Sequence, residues 1–394
     1  QRLAARRAKP ALFRERVMDK RSFRAGDAAG GYSGICCHGG EMTPDRISFA
    51  VPGDLSTLTG GYIYDRRVMQ ELRLQGWTVD HIALPAAFPD PSPQDMVQAL
   101  RQLQEVPADQ LLVVDGLALG ALDPAGLTQI PAPLIALVHH PLAKESGLSP
   151  ARSKALFETE RANLSRASKV LVPSPHTGAI LTSEYDVPAD KIVIATPGID
   201  QPDRNTEPSV LPLILSVGIQ LPRKGHDVLL RALSEITDLN WRAMIVGAAL
   251  DSDYALLLQE LRASLGLRDR VTLPGQVGQA ELAGLYRKAT IFALATRYEG
   301  YGIVFDEALV HGLPIVSCHA GAVADTVPEG AGRLVPPDEP VLFAAALREL
   351  LCDTTTRQKC ATASQLAGAQ RPGWGDTAEI IANALAKSRT EGVK

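Results

Sequence analysis

No stretch of the chain approaches the ~20 consecutive apolar positions that a helix needs to cross a bilayer, and no basic segment leads into an apolar core as a secretory signal would. Cysteine is scarce and odd in number: Cys36, Cys37, Cys318, Cys352 and Cys360 show no metal-type spacing and cannot complete a disulfide framework, so free thiols are expected. There is no Gly-Lys dipeptide for a phosphate-binding P-loop, and the turn at Gly247 lacks the third glycine of a dinucleotide fingerprint. Membrane-spanning, disulfide-scaffold, ATPase and dehydrogenase classes therefore fall. A cytoplasmic location is the default expectation.

What is present fits a globular protein of 394 residues, 45% hydrophobic and 21% charged. That length exceeds what one core usually organises, so two domains of roughly 150 to 200 residues are expected. The net charge of -4 conceals an uneven distribution, because residues 1–41 carry nine Lys/Arg against four Asp/Glu. This Arg-rich leader has no clean apolar face. It is read as a disordered or non-native extension ahead of Met42, with peripheral contact to an anionic inner-membrane face as the alternative. No nucleic-acid partner is expected.

From Ile47 onward, short apolar runs alternate with helical patterns. Strands are predicted at 47–51, 79–84, 111–114, 134–138, 169–172 and 192–195, and again at 213–217, 243–246, 271–273, 291–293 and 315–317. The polar, Pro-containing stretch 198–212 separates the two series. The fold class is α/β: two Rossmann-like, doubly wound parallel-sheet domains with an interdomain cleft. Residues 42–200 form the first domain, 201–371 the second, and 372–390 a terminal helix crossing back to the first.

Four segments carry chemistry. The stretch Thr296–Leu309 (TRYEGYGIVFDEAL) leaves a strand, turns through Gly300 and Gly302 and enters a helix, with Glu299 and Glu307 eight residues apart. Free N–H groups at that helix start favour an anion, and glycines let the backbone approach it. The plain alternative is a first-turn acid and a solvated loop glutamate. After the strand at 213–217 and Gly218 come Arg223 and Lys224, paired cations able to neutralise a diphosphate or simply a basic turn. Gly60 and Gly61 open the first helix, where their amides could cradle phosphate. The strand before Pro141 delivers His139 and His140 at its carboxyl end, as ligands or as structural hydrogen-bonders. By contrast, Asp251-Ser-Asp253 has a metal-binding look but precedes a helix with Leu257, Leu258, Leu261 and Leu265, and reads as a cap.

Together these segments resemble the family 4 glycosyltransferases, retaining enzymes of the GT-B fold whose hallmark is Glu, seven residues, Glu. The resemblance covers roughly residues 44 to 390. It implies that Glu299 contacts hydroxyls of a donor sugar, Glu307 holds the ribose, and Arg223 and Lys224 hold the diphosphate beside Gly218. It places Gly300, Tyr301, Gly302 and Ile303 at the donor, the backbone of Gly275 and Val277 by the base, Gly60 and Gly61 at the donor–acceptor junction, and His139 near the sugar. It differs in carrying Ile219 where many members have Arg, and His140 where Asp or Thr is more usual.

The implied activity is transfer of a hexosyl group from a nucleotide-diphosphate sugar, used as co-substrate with no metal and no bound cofactor. The acceptor, whether saccharide, lipid or small molecule, is not legible. A sugar-nucleotide epimerase, a phosphorylase or a non-catalytic nucleotide-sugar binder would share the same cleft. Glu299→Ala is expected to abolish transfer with little change in melting temperature.

Overall fold

The structure is a computed structural model that describes residues 45–145, 147–202 and 209–391, which belong to one compact unit. The basic leader and the Cys36 and Cys37 pair lie outside the described residues. Two six-stranded sheets form its frame. The first contains β1 (Arg46–Pro52), β2 (Thr78–Leu84), β3 (Leu111–Asp115), β4 (Leu134–Leu137), β5 (Lys169–Val172) and β6 (Ile192–Ile194), in the order β2-β1-β3-β4-β5-β6. The second contains β7 (Leu213–Val217), β8 (Arg242–Val246), β9 (Val271–Gly275), β10 (Ile291–Leu294), β11 (Ile315–Cys318) and β12 (Gly332–Val335), in the order β12-β11-β10-β7-β8-β9. Every pairing is parallel.

Helices cover both faces of a parallel sheet, so its strands are buried on both sides and read as unbroken apolar runs. β3, β7 and β10 show this, each buried along its whole length. The expected strands are all present within a few residues. β12 was not expected, because Gly332-Arg-Leu-Val is a half-buried edge strand without an apolar run. Short polar side chains start the helices: Ser92, Ser149 and Ser174 each accept a backbone N–H ahead of a proline. Asp251 likewise accepts from the N–H groups of Asp253 and Tyr254, so this Asp-x-Asp is a cap. Of the leucines on that helix Leu258 is buried but Leu257 is exposed.

Two features position a ligand. In each sheet the strand order reverses, between β1 and β3 in the first and between β7 and β10 in the second, and the crevice beyond the carboxyl ends at such a reversal is where α/β folds bind ligands. The other feature is the return of the chain. The helix Trp374–Glu391 lies in the core of the first domain, where Trp374, Ala378, Ile381 and Leu385 pack with Tyr64, Val68 and Leu72. Trp374 meets Tyr64 edge-on at 5.9 Å and carries the Arg67 guanidinium over its ring at 5.4 Å. Arg67 in turn grips Asp200 with two hydrogen bonds of 2.7 and 2.8 Å.

Truncating this anchor should be costly. Trp374→Ala is expected to lower the unfolding free energy by about 3–5 kcal/mol in a urea titration, as for other buried aromatics; a loss below about 1 kcal/mol would show that the returning helix contributes little to the first core.

Candidate active site

At the reversal in the second sheet, the loops after β7 and β10 are forced together. The short turn Pro222–Lys224 ends at Gly225, which has φ 63°, and a Cβ there would stand 1.9 Å from the Ala295 carbonyl oxygen. Only glycine permits that approach. It seats Lys224 against Glu299: Nζ lies 2.7 Å from Oε1 and 2.9 Å from Oε2. Thr296 donates its hydroxyl to Glu299 at 2.9 Å, and Arg223 Nη1 stands 3.8 Å from Oε2. The Lys224 stem lies over Gly218, where a Cβ would come within 3.3 Å of its Cδ.

Glu299 is buried, 3% exposed, and so is not a solvated turn residue. Burial alone would raise its carboxyl, but the charges of Lys224 and Arg223 outweigh burial and hold it below the usual range. Burial lowers the Lys224 ammonium, against the pull of Glu299. The expectation that Glu299→Ala would leave the melting temperature nearly unchanged is therefore corrected, since that substitution orphans a buried ammonium. The two cations are also already matched by acids. Arg223 Nε contacts Glu145 of the first domain at 3.1 Å, and the other Glu145 oxygen lies 3.0 Å from His140 Nε2.

The loop that follows docks on the first domain. The Gly300 carbonyl accepts the hydroxyls of Ser174 at 2.6 Å and Thr177 at 3.2 Å, and a Cβ at Gly300 would meet the His139 carbonyl oxygen at 2.3 Å. Gly302, with φ 89°, precedes the helix Ile303–Val310. Ile303 packs with the first core, its Cδ1 3.9 Å from the Cβ position of Gly60.

Tyr301 departs from expectation. Its side chain turns inward and donates to Asp306 at 2.5 Å, and Asp306 is ion-paired to Arg371 at 2.7 Å, so only the Tyr301 backbone is left for a donor. Glu307 accepts from the Tyr286 hydroxyl at 2.6 Å, and burial raises its carboxyl to about 7. Val277 packs its side chain into the second core, and Gly275, φ 78°, has open space where a Cβ would be.

Across the cleft, His139 lies against Gly61, whose Cβ position is 3.2 Å from His139 Cδ2. His139 Nε2 is 3.0 Å from Asp65 Oδ1 and 3.5 Å from Asp115 Oδ2. Among the described residues these three form a group whose candidate ligand atoms all lie within 4.8 Å of one another, with His139 Nε2 within hydrogen-bond distance of Asp65. Composition and motif reasoning had not singled out Asp65, Asp115, Tyr286 or Glu145. Asp115 had left a trace, a carboxylate ending the otherwise apolar run of β3; Asp65 had left another, an acid on the buried face of the helix Gly60–Leu74.

Comparison with known proteins converges on one group. Residues 65–201 match the family model Glycosyltransferase Family 4, and residues 199–366 match Glycosyl transferases group 1. A D-inositol 3-phosphate glycosyltransferase of Kineococcus radiotolerans is 33% identical over 224 residues, covering 50% of this chain and 51% of that protein. The same named protein of Xylanimonas cellulosilytica is 30% identical over 242 residues, 56% of this chain and 58% of that one. The chain thus matches only about half the length of these curated relatives. Among solved structures, sucrose-phosphate synthase of Thermosynechococcus elongatus superposes with a TM-score of 0.75 at 21% identity, covering 87% of this chain and 98% of that one. Anabaena HepE in complex with UDP-glucose gives 0.71 at 20% identity, over 87% and 99%. These likenesses show the GT-B fold.

The buried pair makes a stability prediction. Lys224→Met, which leaves the Glu299 carboxylate without its partner, is expected to destabilise by about 3–5 kcal/mol in chemical unfolding, and adding Glu299→Gln should return more than half of that loss. Strict additivity of the two substitutions would contradict the coupling.

Proposed function

Because this chain belongs to the family 4 glycosyltransferases, we propose that it moves a sugar from a nucleotide-diphosphate donor to an acceptor in the cleft, with retention at the anomeric carbon and without a metal ion. The observation that carries the proposal is the meeting of Lys224, Arg223 and Glu299 at the reversal of the second sheet, with Glu307 on the adjoining helix. Negative charge grows on the β-phosphate as the nucleoside diphosphate leaves. Cations already gathered in one place, together with helix-start amides, absorb it. Arriving phosphates draw Lys224 from Glu299 and Arg223 from Glu145, which frees Glu299 to accept sugar hydroxyls. Glu307 as a carboxylate accepts both ribose hydroxyls.

A uridine donor is the first choice to test, since HepE, which shares the fold, is described with UDP-glucose. The acceptor is left to the first domain's loops. Cytoplasmic action, with any membrane contact confined to the basic leader, belongs to the same proposal.

The test is release of free nucleoside diphosphate from UDP-, GDP- and ADP-glucose, with an acceptor panel, in excess EDTA. Turnover with at least one donor is expected under chelation, and activity that needs restored magnesium or manganese would refute the metal-free part. Glu307 adds a pH signature. Its carboxyl is raised to about 7, so the ribose-binding carboxylate is the minor form at pH 6 and the major form at pH 8. Affinity for UDP-glucose, whose own phosphates do not titrate there, should rise about tenfold over that span, and Glu307→Gln should bind weakly with no such rise. A flat profile in the unaltered protein would remove Glu307 from the ribose.

A further inference from the structure

The cluster around His139 extends this proposal. Three elements of the first domain meet at one ring nitrogen: the helix Gly60–Leu74 supplies Asp65, the end of β3 supplies Asp115, and His139 itself lies two residues beyond β4. Both aspartates are 1% exposed, and Asp115 stands in register beside the buried Leu137 of β4. Carboxylates in such surroundings demand compensation. Asp115 spends one oxygen on the Leu117 N–H at 2.9 Å. Both acids also face His139, whose Nε2 edge lies against Gly61 as well, while Tyr64 closes over the ring edge-on at 5.2 Å.

We infer that Asp65 and Asp115 are positioning residues that share the Nε2 proton of His139, hold the ring as an imidazolium, and so present Nδ1–H as a hydrogen-bond donor to an oxygen of the donor sugar. The inference rests on the transferase proposal only for the identity of that oxygen. The ring cannot turn over without breaking two contacts to buried acids. Its carbonyl is fixed as well, against Gly300. The loop that bears Glu299 and the ring that faces it from the other domain are thereby held in one register, and their two side chains meet the sugar from opposite walls.

The charge balance agrees with this geometry. Burial opposes protonation of His139, but the charges of Asp65 and Asp115 and the Asp65 hydrogen bond raise it above the ordinary imidazole value. Asp115 is pushed up to about 7, by burial first and then by the charge of Asp65, against the pull of His139, so it carries its full charge toward the ring only above neutral pH. The other titratable groups near the cluster do not compete for this proton. Tyr62 and Tyr64 are held above the ordinary phenol value, mainly by burial, and His81 on β2 is held below its ordinary value by burial.

The test uses the full chain labelled with 15N-histidine, the His139 signals being assigned by their loss in His139→Gln. Both ring nitrogens should read as protonated to a pH above the free imidazole range, and in Asp65→Asn that state should be lost at least one pH unit lower. In the same variant, affinity for UDP-glucose should fall about tenfold while affinity for UDP stays within twofold, because the nucleotide does not reach the ring. If Asp65→Asn does not fold, Asp115→Asn carries the same two readouts. A His139 titration unmoved in either variant would overturn the inference, as would ring signals that respond to EDTA or added zinc instead of to pH. A chain that transfers no sugar but whose His139 still responds to Asp65→Asn would sink the transferase proposal and keep the pairing; intact transfer with an unmoved titration would do the reverse.

Discussion

Two opposite charges taken out of water, the Lys224 ammonium and the Glu299 carboxylate, constrain the rest of this structure. A buried ion pair is seldom more stable than apolar residues of the same volume, yet breaking one is severe. The chain surrounds this pair with close backbone approaches that admit no side chain: Gly225 against Ala295, and Gly321, whose Cβ would stand 2.2 Å from the Glu299 carbonyl oxygen. The Ala322 N–H donates to that same carbonyl at 2.8 Å. Such a surround gathers a carboxylate and a cation in one place before any ligand arrives, so that a swing of the Lys224 side chain is enough to bring its charge to a phosphate.

The pair also explains why the second domain grips the first as it does. The carbonyl of Gly300, one residue beyond Glu299, accepts the hydroxyls of Ser174 and Thr177, Ile303 enters the first core, and Arg223 reaches Glu145. Each contact crosses the cleft within a few residues of the charged pair. Contacts of that kind bring the walls together and exclude water from between them. The terminal helix and the Arg67–Asp200 clasp hold the chain on the outer side of the same joint.

The architecture was legible because parallel strands buried on both faces leave unbroken apolar runs, and β12 escaped because an edge strand does not. The glutamates and the paired cations were legible as motifs, since their spacing is set by one loop and one helix. Their partners were not. Lys224 and Glu299 lie 75 positions apart, and Asp65 and His139 lie 74 apart, so which charges neutralise one another depends on strand order, which local pattern does not carry. Tyr301 shows the converse. It sits inside the most informative motif, yet its hydroxyl is committed to Asp306 and the Arg371 junction, because a residue between two cleft-facing glycines can still turn toward the core.

A crystal structure of the chain with UDP-glucose bears most directly on the central claim, that side chains and helix amides of the second domain take up the charge of a departing diphosphate. Lys224 Nζ should have left Glu299 for a phosphate oxygen, with the Glu299 carboxylate on sugar hydroxyls and no cation between protein and phosphates. A donor held elsewhere, or phosphates bridged by a metal while the Lys224–Glu299 contact stays intact, would contradict it.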